Sequence, residues 1–214
     1  VFDRARLKNM MLVNSDIMIR SILLEAAFVS FLFLGARFDD VTLAANQILI
    51  QFLHVTAFGL DGFAFAAEAL VGQAMGARNQ TALKRSAYLT SLWGGIICLG
   101  LGVVFWFAGG VIIDLMSSAP EVQAEARSYL IWMTLAPIAG IAAWMLDGIF
   151  IGATRTRDMR NMMLISSAFY AVVVMILLPI LGNHGLWISL LLFFVMRGVT
   201  LGWKYPGLVA AAAK

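Results

Sequence analysis

Charged residues are scarce in this sequence of 214 residues. Asp, Glu, Lys and Arg make up 13% of it and hydrophobic residues 62%, whereas an ordinary soluble domain contains roughly 25% charged residues. The mean hydropathy is +0.90. A soluble fold of this size cannot bury so much apolar surface, so the composition excludes a soluble domain and indicates a membrane protein.

Cysteine is nearly absent, and so are catalytic motifs. Cys98 is the only cysteine, which excludes an intrachain disulfide and a metal cluster held by thiolates. The pair Asp147-Gly148 resembles the start of the CDP-alcohol phosphotransferase motif, but the rest of that motif is missing. The Gly-x-Ser-Gly nucleophile of intramembrane serine proteases is missing too. We therefore expect neither an enzyme nor a bound cofactor.

Six apolar segments are long enough to cross a bilayer, which requires about 20 mainly apolar residues. They predict an all-α, polytopic membrane protein with a single six-transmembrane-helix bundle over residues 1–214. The approximate bounds are 14–35, 43–75, 86–116, 128–153, 159–181 and 185–203. The connections are short, so neighbouring helices should be antiparallel. The tightest predicted connection is Asn183-His184-Gly185.

The basic residues outside these segments lie almost entirely on one side of the predicted bundle. Only Arg37 and Arg127 belong to the other side. The basic side carries Arg4, Arg6, Lys8, Arg78, Lys84, Arg85, Arg155, Arg157, Arg160, Lys204 and Lys214. By the positive-inside rule we expect an inner-membrane protein with both termini in the cytoplasm. The net charge of +3 reflects this topology, so it predicts no nucleic-acid partner.

The second segment carries a polar stripe on an otherwise apolar helix. Its members are spaced by alternating steps of four and three, which places them on one helical face. They are Gln47, Gln51, His54, Phe58, Asp61, Phe65 and Glu68. Carboxylates in a transmembrane helix cost several kcal/mol if they face lipid, so the stripe should face a protein interior or a water-filled cavity. A cavity that crosses a membrane indicates transport.

Four carboxylates in the predicted spans form two layers. Glu25 and Asp61 lie near the bilayer midplane, and Asp147 and Glu68 lie in the inner half. Such groups can hold H+ or Na+ in one conformation and release it in another. A Na+ ion at Glu25, Asp61 and Asp147 would need further oxygen ligands. The amides of Asn46, Gln47 and Gln51 could supply them. The alternative is that these acids are neutral, hydrogen-bonded packing groups.

Two other charged features of the spans have structural interpretations. Asp16 and Arg20 are four residues apart with the acid first, which predicts an ion pair along one helix. Arg197 lies two turns inside Lys204. It could extend to the inner interface, which is the favoured interpretation, or neutralise a carboxylate of a neighbouring helix.

Three runs of residues resemble the second half of a MATE (multidrug and toxic compound extrusion) transporter, in the branch named after DNA-damage-inducible protein F. They are Ala44 to Ile48, Asp61 to Gln73 and Leu146 to Arg155. This resemblance implies a cation-coupled antiporter that exchanges H+ or Na+ for organic, often cationic, drugs by alternating access. It also implies two six-helix lobes with substrate between them, a parallel repeat, of which this chain would be the C-terminal one.

The resemblance also suggests roles for individual residues. Another branch of the family uses carboxylates on the helices that correspond to those of Glu25 and Asp147, so both are expected to face the central cavity. Phe58 and Phe65 could stack against flat cationic drugs. The partners would be the N-terminal lobe, small-molecule drugs and membrane lipid. Two alternatives remain open: a complete six-helix transporter that works as a homodimer, and a membrane scaffold that transports nothing.

Overall fold

The computed structural model describes residues 4–213, without the side chain of Ala5. This part of the chain forms five α-helices and contains no β-strand. They are α1 (Arg4–Gly35), α2 (Asp40–Gly76), α3 (Gln80–Met116), α4 (Pro120–Gly152) and α5 (Thr156–Ala211). All five are long and apolar enough to cross a membrane, which confirms the predicted all-α membrane protein.

The fifth helix folds back on itself and thereby replaces two of the predicted helices. Gly182 has φ 55° and ψ −134°, a conformation open essentially only to glycine. The arms on either side, 156–181 and 183–211, are antiparallel. Ser166 Oγ lies 3.4 Å from Thr200 Oγ1, and the rings of Tyr170 and Phe193 are 5.5 Å apart. The prediction of a loop at 183–185 was wrong, because one glycine suffices for the reversal.

The helices are longer than the predicted spans. The first begins at Arg4 rather than at residue 14, and the third at Gln80 rather than at residue 86. Hydropathy locates the lipid-buried stretch, whereas polar turns extend the helix beyond it.

Asp39 caps the start of α2. Its side chain accepts a hydrogen bond from the Thr42 backbone N–H at 2.6 Å. This bond lowers the pKa of Asp39 because it favours the carboxylate.

The fourth helix lies at the centre of the bundle, where it packs against α2, α3 and α5. In contrast, α1 packs mainly against α5 and touches α2 little. The backbones of α2 and α4 approach closely at two glycines. A Cβ on Gly148 would lie 2.5 Å from the Ala64 carbonyl oxygen, and one on Gly152 would collide with the Glu68 carbonyl. The four-residue spacing of these glycines allows the two parallel helices to pack without side chains between them.

We expect the chain reversal to depend on Gly182. Gly182→Ala should lower the free energy of unfolding by about 1–3 kcal/mol, because an L-residue is strained at this φ and ψ. Gly202→Ala is the matched control, since Gly202 belongs to the same helix and an added Cβ would meet no atom within 4 Å. Thermal unfolding in detergent measures the difference. Equal unfolding midpoints for the two variants would contradict this assignment of the turn.

The contact between α2 and α4 should likewise depend on Gly148. Gly148→Ala should destabilise the protein by about 1–3 kcal/mol, because the added methyl group overpacks the interface against a rigid backbone carbonyl. Gly95→Ala on α3 is the control, as nothing lies within 4 Å of the Cβ position there. Both variants can be compared by denaturant unfolding in mixed micelles. If Gly148→Ala is as stable as the control, the two backbones are not in close contact.

Candidate functional site

A cavity of about 150 Å³ lies between α2 and α4, with α1 at its edge. Its polar lining brings together three of the predicted carboxylates, Asp61, Glu68 and Asp147. Phe65 and Trp144 add aromatic surface. Arg20 of α1 completes the lining and was not predicted as part of a site. The close packing of Gly148 and Gly152 against α2 holds the two helices that carry the three carboxylates near each other.

Two arginines hold Asp147 in place. Its Oδ2 accepts hydrogen bonds from Arg20 Nη2 and, at 2.5 Å, from Arg197 Nη2. The Asp147 residue is 5% exposed and Arg197 is 1% exposed. Asp147 Oδ1 and the Nε and Nη1 atoms of Arg197 make no hydrogen bond within the described part of the chain. This buried cluster joins α1, α4 and the second arm of α5, and it carries one net positive charge.

The predicted Asp16–Arg20 pair does not form. Asp16 Oδ1 instead accepts a hydrogen bond from Arg160 Nη1 at 2.5 Å, and its Oδ2 accepts one from Thr156 Oγ1 at 3.2 Å. The prediction was wrong because both charges face neighbouring helices, where Asp16 meets Arg160 and Arg20 meets Asp147. Pairing between helices buries them against a partner of opposite charge, which a low-dielectric environment favours.

The favoured interpretation of Arg197 was also wrong. Its side chain does not reach the interface but neutralises Asp147 and lies over the Phe193 ring, with Cζ 5.6 Å from the ring centroid. The sequence contained a signal for both arginines, since a guanidinium inside an apolar span requires a partner. The sequence did not reveal the position of α4, whose Asp147 pairs with both Arg20 and Arg197.

Asp61 and Glu68 differ from Asp147 in their electrostatic surroundings. Neither forms an ion pair with any residue that the structure describes. Asp61 is exposed and Glu68 is half-buried at the cavity edge. Asp61 and Glu68 thus lack the arginine partners that Asp147 has in Arg20 and Arg197.

The remaining predicted residues lie outside the cavity lining. Glu25 is exposed on α1, and Gln47, Gln51 and Phe58 are exposed along α2. His54 is half-buried, with its ring 6.1 Å from that of Phe28 and 6.4 Å from that of Phe58. The polar stripe is thus exposed at Gln47, Gln51, Phe58, Asp61 and Phe65 and half-buried at His54 and Glu68.

The predicted Na+ ligands are not gathered at one point. Within residues 4–213 no three His, Cys, Asp or Glu side chains come together as a metal site, so Glu25, Asp61 and Asp147 do not form one. Asn46 is fully buried and exchanges two amide hydrogen bonds with Asn183, at 2.8 and 2.9 Å. Its Oδ1 also accepts a bond from Trp187 Nε1 at 3.0 Å. Asn46 therefore joins α2 to the start of the second arm of α5 and does not supply an oxygen to the cavity.

The cluster around Asp147 should dominate the stability of the bundle. Asp147→Asn should cost about 3–5 kcal/mol, because it leaves the buried Arg197 and the half-buried Arg20 without a counter-charge. The double variant Asp147→Asn with Arg197→Met should recover a large part of this loss, since it removes one of the orphaned charges. Unfolding in detergent measures both effects.

The exposed pair Asp114–Arg127 supplies the control for this experiment. Its charged atoms are 2.5 Å apart and its side chains are 42% and 46% exposed, so Asp114→Asn should cost less than about 1 kcal/mol. If Asp147→Asn were as mild as Asp114→Asn, the buried cluster would not hold the three helices together.

Comparison with known proteins identifies relatives of this bundle. The family model described as MatE matches residues 17–177. DNA damage-inducible protein F of Escherichia coli K12 is 41% identical over 92% of this chain and 43% of its own length. Protein DETOXIFICATION 51 of Arabidopsis thaliana is 32% identical over 49% of this chain and 19% of its own length.

A solved structure shares the fold. The bent form of the Vibrio cholerae MATE transporter VcmN matches with a TM-score of 0.83 at 16% identity, over 92% of this chain and 45% of that one. The chain therefore spans less than half the length of these relatives. The match of the family model over most of the helices, together with the identity to the Escherichia coli protein, establishes that this chain is a member of the MatE family.

Proposed function

We propose that this chain is the C-terminal lobe of a cation-coupled antiporter that exports organic, often cationic, compounds by alternating access. The observation that carries the proposal is the exposed polar face of α2, which includes Gln47, Gln51 and Asp61. Such a face is unfavourable against lipid tails. It is suited to a water-filled cavity between this lobe and a second one.

The exposed surface of α3 has the character expected of a lipid contact. The exposed large side chains of α3 are apolar along most of its length, and they include Trp93, Leu99, Val103, Phe107 and Leu115. The chain thus carries a surface suited to the bilayer as well as one suited to a polar cavity. The length of the relatives, about twice that of this chain, supports an N-terminal lobe as the partner on the polar side.

Within this proposal, the carboxylates have different roles. Asp61 and Glu68 bind the coupling ion, H+ or Na+, because no arginine neutralises them. Asp147 shapes the cavity wall through its bonds to Arg20 and Arg197. Glu25 and His54 line the path nearer the middle of the membrane, with Gln47 and Gln51 beyond them. Phe58 and Phe65, 72% and 65% exposed, offer ring faces to a flat organic cation.

The basic residues support the orientation of this proposed transporter. The ends of the helices that carry the chain termini also carry most of the lysines and arginines outside the spans. The positive-inside rule places that end in the cytoplasm and the protein in the inner membrane. The cavity beside Asp61 and Glu68 would then lie in the cytoplasmic half, where it can collect substrate from inside the cell.

The proposal is tested by neutralising the free carboxylates. Asp61→Asn and Glu68→Gln should lower the efflux of ethidium driven by a proton or sodium gradient by about tenfold or more, as expected when a coupling free energy of about 1–3 kcal/mol is lost. Their unfolding midpoints should stay close to that of the unmodified protein. Efflux is measured in proteoliposomes made with the protein as its own cells produce it, under each gradient separately.

Glu121→Gln is the matched control, because it removes an exposed carboxylate at the first turn of α4, away from the cavity. It should leave efflux unchanged. If the unmodified protein moves no ethidium under either gradient and Asp61→Asn lowers the unfolding midpoint, the results would instead favour a scaffold. Native mass spectrometry of the same preparation separates a two-lobe transporter from a homodimer, since only a homodimer contains two copies of this sequence.

A further inference from the structure

A second, much larger cavity lies where α1 begins and α4 meets α5. Its volume is about 800 Å³, within the range of about 300–1,000 Å³ that is typical of small-molecule sites. One wall is formed by the first turns of α1, from Asn9 to Asp16, and the other by residues 154–161. None of the residues of the proposed transport path lines it.

The charges of this cavity leave one arginine without a partner. Arg160 is paired with Asp16 at 2.5 Å, and Arg155 with Asp158 at 3.7 Å. Arg157 is exposed and forms no ion pair with any residue in the described range. The five groups together carry one net positive charge, which is complementary to the single negative charge of a phosphodiester.

Further hydrogen-bond donors in this cavity favour an anionic ligand over a cationic one. Arg155 donates from Nη2 to the Gly207 carbonyl at 3.1 Å, while its buried Nε has no acceptor in the described part of the chain. The Asn9 and Asn161 amides also line the cavity. Both aspartates are engaged by arginines, so the cavity offers guanidinium and amide N–H groups in several directions. Phosphate oxygens accept such bonds in a bidentate manner.

The surroundings of the cavity match those of a phospholipid headgroup. Leu12 and Val13 form its apolar edge, and Leu12 is 56% exposed. The cavity lies at the basic end of the bundle, close to the membrane surface. Basic pockets between helices at this depth bind anionic lipid headgroups. An acyl chain could continue from such a headgroup along the exposed face of α1.

We infer that this cavity, formed by α1 and the α4–α5 connection, binds the phosphate group of an anionic ligand through Arg157 and the arginines beside it. The phosphate group belongs either to a membrane phospholipid or to a free phosphate. The inference does not depend on the proposed transport, because no residue of the transport path contributes to the site.

The test compares two exposed arginines at the same end of the bundle. Arg157→Gln removes the unpaired charge of the cavity, and Arg85→Gln removes an exposed charge from the first turns of α3. The protein as its own cells produce it is placed in nanodiscs of phosphatidylglycerol and phosphatidylcholine. Native mass spectrometry then counts the phosphatidylglycerol that stays bound. We expect Arg157→Gln to lower retention about fivefold, and Arg85→Gln to lower it less than about twofold.

A second arm distinguishes the source of the phosphate group. In phosphatidylcholine alone, inorganic phosphate is compared with chloride at equal ionic strength, with thermal unfolding as the readout. A stabilisation by phosphate that Arg157→Gln abolishes identifies free phosphate. Retention of phosphatidylglycerol without this stabilisation identifies the lipid. Arg157→Lys keeps the charge and should retain most of the binding in either case.

Two results would overturn the inference. Equal loss of phosphatidylglycerol in Arg157→Gln and Arg85→Gln would mean diffuse attraction to a charged surface and no site. An absence of any effect of Arg157→Gln in both arms would mean that the cavity binds no phosphate group. Because Arg157 is exposed and forms no ion pair, its replacement should not change the unfolding midpoint in phosphatidylcholine without phosphate.

Discussion

The buried carboxylate of Asp147, shared by Arg20 and Arg197, is the interaction on which the arrangement of the helices depends. Each of the three residues belongs to a different helical segment, and the second arm of α5 reaches Asp147 only because the chain reverses at Gly182. The helix α1, which touches α2 little, is tied to α4 through this cluster. An unpaired charge in such surroundings would cost several kcal/mol. Ion pairing therefore holds the three segments together in addition to packing.

The same cluster divides the acidic residues of the spans into two kinds. Asp147 is neutralised by arginines and holds helices in place, whereas Asp61 and Glu68 carry no such partner. The close backbone contact at Gly148 and Gly152 brings the two kinds to the walls of one cavity. A fixed charge cluster therefore lies beside carboxylates that have no arginine partner in the described part of the chain, and this arrangement is the one on which the proposed ion site rests.

The sequence predicted the helical membrane bundle well, because long apolar runs have few other options. It also located the polar stripe of α2, whose spacing is a local property of a helix. The predictions that were wrong concern ion pairs and the connection between helices. Asp16 and Arg20 have the spacing of a helical ion pair, yet each has a partner on another helix. The connection at Asn183 was placed one residue too late, since only the backbone angles of Gly182 distinguish a sharp reversal from a short loop.

By itself, the sequence determined that this chain is a helical membrane protein and which face of α2 is polar. These features follow from composition and helical periodicity, which act over a few turns. The tertiary structure alone decided which carboxylates are neutralised and which remain free. That distinction depends on contacts between residues up to 144 positions apart, and no local pattern specifies which of several opposite charges in a low-dielectric bundle will meet.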